Sequence, residues 1–483
     1  MMEPSFVIKL QSVKQLNAIL IFVFAVFAGC KSDKYRRAAD KEVFEILNQR
    51  SNLVLGANAS TNLVSSQVGN NPESVTPSEI VKERFADSVR TINLPQALDM
   101  AEKNNRAYQL QREKLYLSAL SLTGVRHQFS WITTSSVDAE IDRGTDGGLS
   151  RDSQISLGAQ KMFKTGAAIT ATLANDLVLY FNGKPKVPDF ALKLTQPLLR
   201  GAGAEMASEI LTQAERDVVY AVREYSYYQK TFAIETITEY FRVLQSKDAV
   251  RNSYSNYLNL QKARDRAEAM AEAERLPKYQ VDQARQTELS ARVKYLSAVE
   301  SYRESLDEFK QRLSLPLGEA LSLDDTALTD LVKAGLTSLT INARSGYLVA
   351  ITNRLDVLNE VDKFEDAQRK VRVAANNLQP GLDLVIDASL TKQFYGSFSP
   401  EEFANTSGLK LKLPLNQLSE RNAYRTSLIN FEKQMRALAT ELDSLRENIR
   451  EGVRALERQK ENYFIQSAAL ELAQQQVEVM PLL

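Results

Sequence analysis

The sequence predicts a mainly α-helical chain with membrane-type β-strands, in which helix, short strands and a very long helix follow one another twice. Three observations carry that expectation. From Glu205 to about Glu272 there is neither Pro nor Gly, and apolar residues recur at helical spacing. Between the helical stretches lie segments that alternate apolar and polar residues with a period of two. At the amino end a basic start and a short apolar run close on the only cysteine of the chain, Cys30.

Composition narrows the function classes. The 483 residues carry 60 Lys+Arg against 60 Asp+Glu, and zero net charge argues against a nucleic-acid partner, which would need a basic surplus. With one Cys and one His, the chain has no disulfide framework and no Cys/His metal cluster, and any Ser–His or Cys–His dyad would have to use His127. No catalytic residue, metal site or cofactor is expected, and the chain does not read as an enzyme.

The elements follow in order. Lys9 and Lys14 precede the apolar stretch Ala18–Gly29, which spans about 18 Å as a helix, too short for a hydrocarbon core of about 30 Å. Residues 1–29 therefore read as a secretory signal, and 30–90 as a tether with a short helix at Glu42–Arg50 and a loop from Gly56 to Pro77. A first half, 91–340, then holds a helix, strands within 131–196 and a long helical hairpin over 204–315. On its outgoing helix Ile210, Ala214, Val218, Val222, Tyr225, Phe232, Ile237, Tyr240 and Leu244 form the apolar stripe, and the tyrosines read as packing between helices. A second half, 341–483, repeats the order with strands within 381–414 and an outgoing helix over 419–479.

The strands show sidedness. Val137, Ala139 and Ile141 alternate with Asp138, Glu140 and Asp142. Leu382, Leu384 and Ile386 alternate with Asp383, Val385 and Asp387, and Leu409, Leu411 and Leu413 with Lys410 and Lys412. An aliphatic face opposite a charged one fits a strand with lipid outside and a water-filled lumen inside, so Asp138, Glu140, Asp142, Asp383, Asp387, Lys410 and Lys412 are the lumen-facing candidates. The same alternation fits an antiparallel sheet packed on a soluble core. Arg143–Arg151 and Phe394–Ser407 read as hairpin tips, and Trp131, beside His127 at a helix-to-strand junction, as an interfacial aromatic.

An internal repeat accounts for the doubling. Asn105-Arg106 and Asn353-Arg354 are 248 positions apart, whereas Pro197-Leu198 and Pro414-Leu415 are 217 apart. The difference, 248 − 217 = 31, marks an insertion at Lys161 to about Asp189, where Ala167, Ile169, Ala171 and Leu173 make a further strand ahead of a Gly183-Lys184-Pro185 turn. The same offset carries Pro277 to position 494, beyond Leu483, so the second half is expected to be incomplete and the chain truncated at its carboxyl end.

Several stretches resemble one family. Leu94-Pro95-Gln96-Ala97-Leu98, Thr195-Gln196-Pro197-Leu198-Leu199-Arg200-Gly201, Tyr240-Phe241-Arg242-Val243-Leu244 and Asn353-Arg354-Leu355-Asp356-Val357, followed by Ala367, Val371, Ala374 and Pro380, resemble the bacterial outer-membrane efflux proteins, the TolC-like outer-membrane factors. Phe27-Ala28-Gly29-Cys30 is similar to the lipobox of bacterial lipoproteins. The resemblance implies a homotrimer in which each protomer gives four strands to a shared twelve-stranded barrel and its helices to a periplasmic tunnel. It implies acylation of Cys30 as an outer-membrane anchor. It also implies that the turn Arg275, Leu276, Pro277, Lys278, Tyr279 and Gln280 docks a periplasmic adaptor protein. The implied function is the passive outer-membrane conduit of a tripartite efflux or type I secretion system, with a proton-driven or ATP-driven inner-membrane transporter as further partner. The alternative is a lipid-anchored periplasmic coiled-coil scaffold without channel activity.

Overall fold

The computed structural model describes residues 32–56, 77–84, 89–143, 149–176, 189–336, 341–390 and 403–479. The expected signal segment with Cys30, the expected Gly183-Lys184-Pro185 turn and the last four residues lie outside them. Among the described residues no helix is long and apolar enough to cross a membrane.

The chain divides into two compact units. The first holds a six-stranded sheet of order β2-β3-β4-β5-β7-β8, with every neighbouring pair antiparallel. Its strands are β2 (Ile132–Arg143), β3 (Leu149–Met162), β4 (Ala168–Asp176), β5 (Asp189–Pro197), β7 (Gly381–Leu390) and β8 (Phe403–Lys412). The alternating strand expected at Ala167–Leu173 is β4. The structure corrects the tips. β2 runs to Arg143, β3 begins at Leu149, and β8 takes in Phe403–Ser407. Asn405, Thr406 and Ser407 show no alternation, but their backbone pairs with Ala388, Asp387 and Ile386, and the ladder extends the strand past the sequence signal. Among the described residues the sheet has six strands, two more than the resemblance implies.

The β3–β4 hairpin is closed by a tight turn in which Phe163 N–H donates to Ala167 O (2.8 Å) and Gly166 N–H to Phe163 O (2.9 Å). Gly166 sits at φ +90°, and a Cβ there would meet Gly201 O at 2.9 Å, so the turn needs glycine on both counts.

Two helices begin at asparagine caps. α3 (Leu94–Asn104) starts at Asn93, whose Oδ1 accepts from Gln96 N–H (3.0 Å) while Gln96 Oε1 accepts from Asn93 N–H (3.1 Å), a capping box. α9 (Ala343–Asn353) starts at Asn342, whose Oδ1 accepts from Ser345 N–H at 2.8 Å. Each is followed by one extended residue, Asn105 or Arg354, and then by α4 (Arg106–Gln128) or α10 (Leu355–Asn376). In each case the break follows an 11-residue helix, at Asn105 and at Arg354.

The expected tether is more helical than anticipated. α1 (Ser32–Leu55) buries Val43, Ile46 and Leu47 at i, i+3, i+4 spacing, and Tyr116 donates to its Asp40 at 2.7 Å. Burial and the bond to the Asp40 carboxylate push the Tyr116 hydroxyl up to about 12. α2 (Pro77–Arg84) follows.

α6 (Glu209–Glu272), which follows the single turn α5 (Ala204–Ala207), lies in the first unit as far as Val222 and in the second from Arg223, where the returning α7 (Lys278–Arg312) also lies. At 1.5 Å per residue α6 measures about 96 Å. Its stripe is close to the one read from sequence. Val218, Val222, Tyr225, Phe232, Tyr240 and Leu244 are buried, but Leu211 is buried in place of the exposed Ile210. Tyr108 packs its ring on Tyr225, Tyr228 and Phe232 at 6.0, 6.0 and 5.1 Å, and Gln229 donates to its hydroxyl at 3.0 Å. Burial raises both Tyr108 and Tyr225, which stay neutral hydrogen-bonding groups. The parallel pair β1 (Val89–Ile92) and β6 (Ala320–Leu323) leads into α8 (Thr326–Ala334). Asp325 is held below the usual carboxylate range by hydrogen bonds from Lys247 and Arg251. The last element is α11 (Leu418–Val479).

Candidate functional site

The sheet register sorts the side chains. Val137 opposes Ile155, Leu157 opposes Leu173, Leu173 opposes Phe190, and Ala171 opposes Leu192. Farther on, Leu194 opposes Ile386, Leu384 opposes Leu409, and Leu382 opposes Leu411. One face thus carries aliphatic residues on all six strands, interrupted by Ser135, Gln196, Asn405 and Ser407, and those aliphatic residues are bare. Val137 is 69% exposed, Leu157 49%, Leu192 39% and Leu409 66%. Leaving such side chains in water forfeits up to roughly 1.5–3 kcal/mol each, so this face calls for an apolar surround.

The opposite face is polar and ion-paired. Lys193 faces Asp387 across β5–β7 at 3.6 Å, and Lys412 reaches Asp383 across β7–β8 at 3.2 Å. Ser136 donates to Asp138 at 3.0 Å and shares a 2.7 Å hydrogen bond with Ser156. The lumen candidates Asp138, Asp383, Asp387, Lys410 and Lys412 all fall on this side of the register. Glu140 and Asp142 lie in β2, paired in the backbone ladder with Asp152 and Ser150. At the foot of the sheet Lys161 Nζ sits 5.5 Å from the Trp131 ring centre and 5.2 Å from that of Phe163, a cation–π cluster that sequence reading did not anticipate beyond Trp131 itself. His127 Nδ1 lies 3.2 Å from Ser130 Oγ.

Among the described residues both outer strands of the sheet, β2 and β8, are unpaired along one edge. A membrane sheet with open edges is not viable in hydrocarbon, because each unsatisfied backbone group there costs several kcal/mol. The arrangement is a sheet with an apolar face, an ion-paired face and two open edges.

That geometry can be set beside known proteins. No protein-family model matches the sequence, and no curated relative does. Solved structures match. The chain aligns with CusC, described for its transmembrane channel formation, at 12% identity over 80% of each chain, with a TM-score of 0.53. It aligns with the outer-membrane channel OprN at 13% identity over 76% of this chain and 75% of that one, with a TM-score of 0.54. The chain has the fold of the outer-membrane efflux channels. The open state of the Neisseria gonorrhoeae MtrE outer membrane channel agrees, at 12% identity over 77% and 75% of the two chains and a TM-score of 0.52. CusC, OprN and MtrE are each described as channels. Among the described residues no group of three or more His, Cys, Asp or Glu comes together to hold a metal.

The second candidate region of this channel fold is the turn between α6 and α7. Arg275 N–H donates to Met270 O at 2.8 Å and Glu274 N–H to Ala271 O at 3.0 Å, a Schellman pair that closes α6. Pro277 is the N-cap of α7, where its missing N–H leaves nothing unpaired. Leu276 closes one side of a shallow hollow of about 390 Å³ lined by Ala263, Arg266 and Met270, and Tyr279 stands 66% exposed beside Gln280, which donates to its hydroxyl at 3.1 Å. Lys278 opens the returning helix.

Glu274 occupies the left-handed position of that Schellman pair, with φ 58°. Non-glycine residues there cost about 1–2 kcal/mol, part of which glycine returns through its freer unfolded chain. Glu274→Gly is expected to stabilise the hairpin by about 0.5–1 kcal/mol, read as a shift in the urea midpoint with unchanged slope. A destabilised variant would mean that the glutamate side chain has a role its backbone angle hides.

Proposed function

We propose that this chain is the outer-membrane channel component of a tripartite efflux or type I secretion assembly, a homotrimeric passive conduit. The observation that carries the reading is the six-stranded sheet, with a bare aliphatic band on one face and ion pairs on the other, in a chain with the outer-membrane channel fold. Lipid accounts for the first face, water for the second, and neighbouring copies for the two open edges. In this reading the partners are a periplasmic adaptor protein and a proton-driven or ATP-driven inner-membrane transporter, and the protein resides in the outer membrane, anchored by acylated Cys30. The turn Arg275–Gln280 is the adaptor contact. It presents an exposed tyrosine and a hollow at the end of the α6–α7 hairpin.

The decisive experiment is purification in detergent followed by planar-bilayer recording. A heat-modifiable trimer that conducts supports the channel. A protein that leaves the membrane on removal of its lipid anchor and never conducts would instead be the periplasmic scaffold. Metabolic labelling with a radioactive fatty acid is expected to mark the wild type and not Cys30→Ser, and equal labelling of both would remove the anchor. Photo-crosslinking from Tyr279 is expected to capture the adaptor, and adducts arising only from the strand end would move the contact there.

A further inference from the structure

We infer that three copies of this chain close an eighteen-stranded barrel, six strands from each, in which β8 of one copy pairs with β2 of the next. The inference rests on the trimeric channel reading above and deepens it by assigning the seam and the width. Four features of the sheet carry it.

First, the β3–β4 hairpin is built into the sheet. β3 pairs with β2 from Ile132↔Gln160 to Arg143↔Leu149, and β4 pairs with β5 from Ala168↔Thr195 to Ala174↔Asp189. The hairpin carries its share of both faces, with Leu157 and Leu173 in the aliphatic band. Its turn is tied to the strand feet, since Gly166 packs against Gly201 O and Gln196 Nε2 donates to Thr165 O at 3.4 Å. Nothing in this register allows β2 to pair with β5 directly.

Second, five antiparallel pairings make β2 and β8 run in opposite directions. A second copy placed at the edge therefore continues the antiparallel ladder, as a closed barrel needs.

Third, the sheet already has the stagger of a closed barrel. From Ile132 at the foot of β2 the register partners run through Gln160, Thr170, Lys193 and Asp387 to Thr406. Thr406 stands six residues above Lys412 at the foot of β8 (412 − 406 = 6), gained over five pairings. With about 3.3 Å per residue and about 4.8 Å between strands, that is a tilt of about 40°, inside the range of about 35–45° for membrane barrels. At that tilt eighteen strands give a backbone radius of about 18 Å, against about 12 Å for twelve.

Fourth, continuing the stagger by one more step sets Lys412 opposite Thr134 and Lys410 opposite Ser136 of the next copy, with like faces matched. Asp138 then lies diagonally across from Lys410, within reach of a long side chain. Among the described residues neither forms an ion pair within its own chain, whereas the corresponding acid–base contacts inside the protomer, Lys193–Asp387 and Lys412–Asp383, are made. The seam repeats the protomer's own pattern.

The test is cysteine crosslinking of the full chain in membranes, in wild-type and Cys30→Ser backgrounds. Lys410→Cys is combined in turn with Thr134→Cys, Ser136→Cys and Asp138→Cys. A separate variant carries Thr134→Cys with Thr195→Cys, residues on strands three spacings or about 14 Å apart, which a disulfide cannot bridge in the six-stranded sheet. The expected result is a covalent trimer ladder, strongest with Ser136→Cys, and no disulfide within the Thr134/Thr195 chain. An intact trimer in which Thr134 and Thr195 join within one chain would overturn the inference, since the hairpin would then lie outside a twelve-stranded ring, and would leave the channel reading standing. An intact trimer with no crosslink from Lys410 in any of the three pairings would also overturn it. A protein that stays monomeric and non-conducting would overturn the channel reading and the seam together. Electron cryomicroscopy of the trimer gives the independent measure, a backbone ring about 1.5 times as wide as a twelve-stranded one.

Discussion

Leu192→Arg is expected to abolish assembly of the proposed trimer, whereas a change at its neighbour Lys193 leaves that assembly intact. Leu192 belongs to the aliphatic band and stands five residues above the foot of β5 at Pro197. At a tilt of about 40° that is about 13 Å, half the height of an apolar band of about 25 Å, so the arginine would lie near the bilayer midplane and cost about 2–4 kcal/mol. Leu411, one residue from the foot of β8, sits near the interface, and Leu411→Arg there is expected to cost only about 0–1 kcal/mol. Lys193 points to the other side, where its pairing with Asp387 is half exposed. Lys193→Gln should change stability by less than about 1 kcal/mol and shift the pore toward cations. The measurements are the heat-modifiable fraction on semi-native gels and the reversal potential across a salt gradient. Equal loss of trimer from the two neighbours would contradict the sidedness of the sheet.

The other large effect lies where α6 leaves the strands. Arg369 donates from Nε to Glu209 Oε2 at 2.5 Å and from Nη2 to Gln213 Oε1 at 3.0 Å, and both charged side chains are only 11% exposed. The second carboxylate oxygen, Oε1, is buried with no hydrogen-bond partner. Arg369→Ala would strand that carboxylate, and a loss of about 3–5 kcal/mol is expected in urea unfolding. Replacing both partners with apolar residues of similar volume, Glu209→Leu with Arg369→Met, should recover most of it, because the desolvation cost of the two charges disappears with them. If the single and double variants are equally damaged, the arginine acts through packing and not through charge.

The two candidate regions were legible to different depths. The turn at Arg275–Gln280 could be placed to the residue, because a proline ending a long Gly- and Pro-free helix is a local signal. Its left-handed residue was visible only as a position where glycine would be expected, and the backbone angle at Glu274 supplies the reason. On the sheet, residue parity alone separated Asp138, Asp383, Asp387, Lys410 and Lys412 from the leucines beside them, since a strand has no other way to distribute them. β3 was not read. Its run Gln154-Ile155-Ser156-Leu157-Gly158-Ala159 alternates, but the small and hydroxylated residues give weak contrast. Its place comes from the ladders on both sides.

By itself, the sequence determined what is local in this protein. Helical spacing made the long helices, free of Gly and Pro in α6 and α7, Asn93 and Asn342 started two shorter ones, and a period of two gave the strands an apolar and a polar face. Only the tertiary structure decided how many strands stand side by side, in what order, and with what stagger. It also decided that Glu209 and Arg369, 160 positions apart, share one buried contact. The physical reason is range. Propensity, capping and alternation act over a few residues, whereas strand order and buried ion pairs depend on backbone hydrogen bonds and desolvation that exist only once distant segments have met.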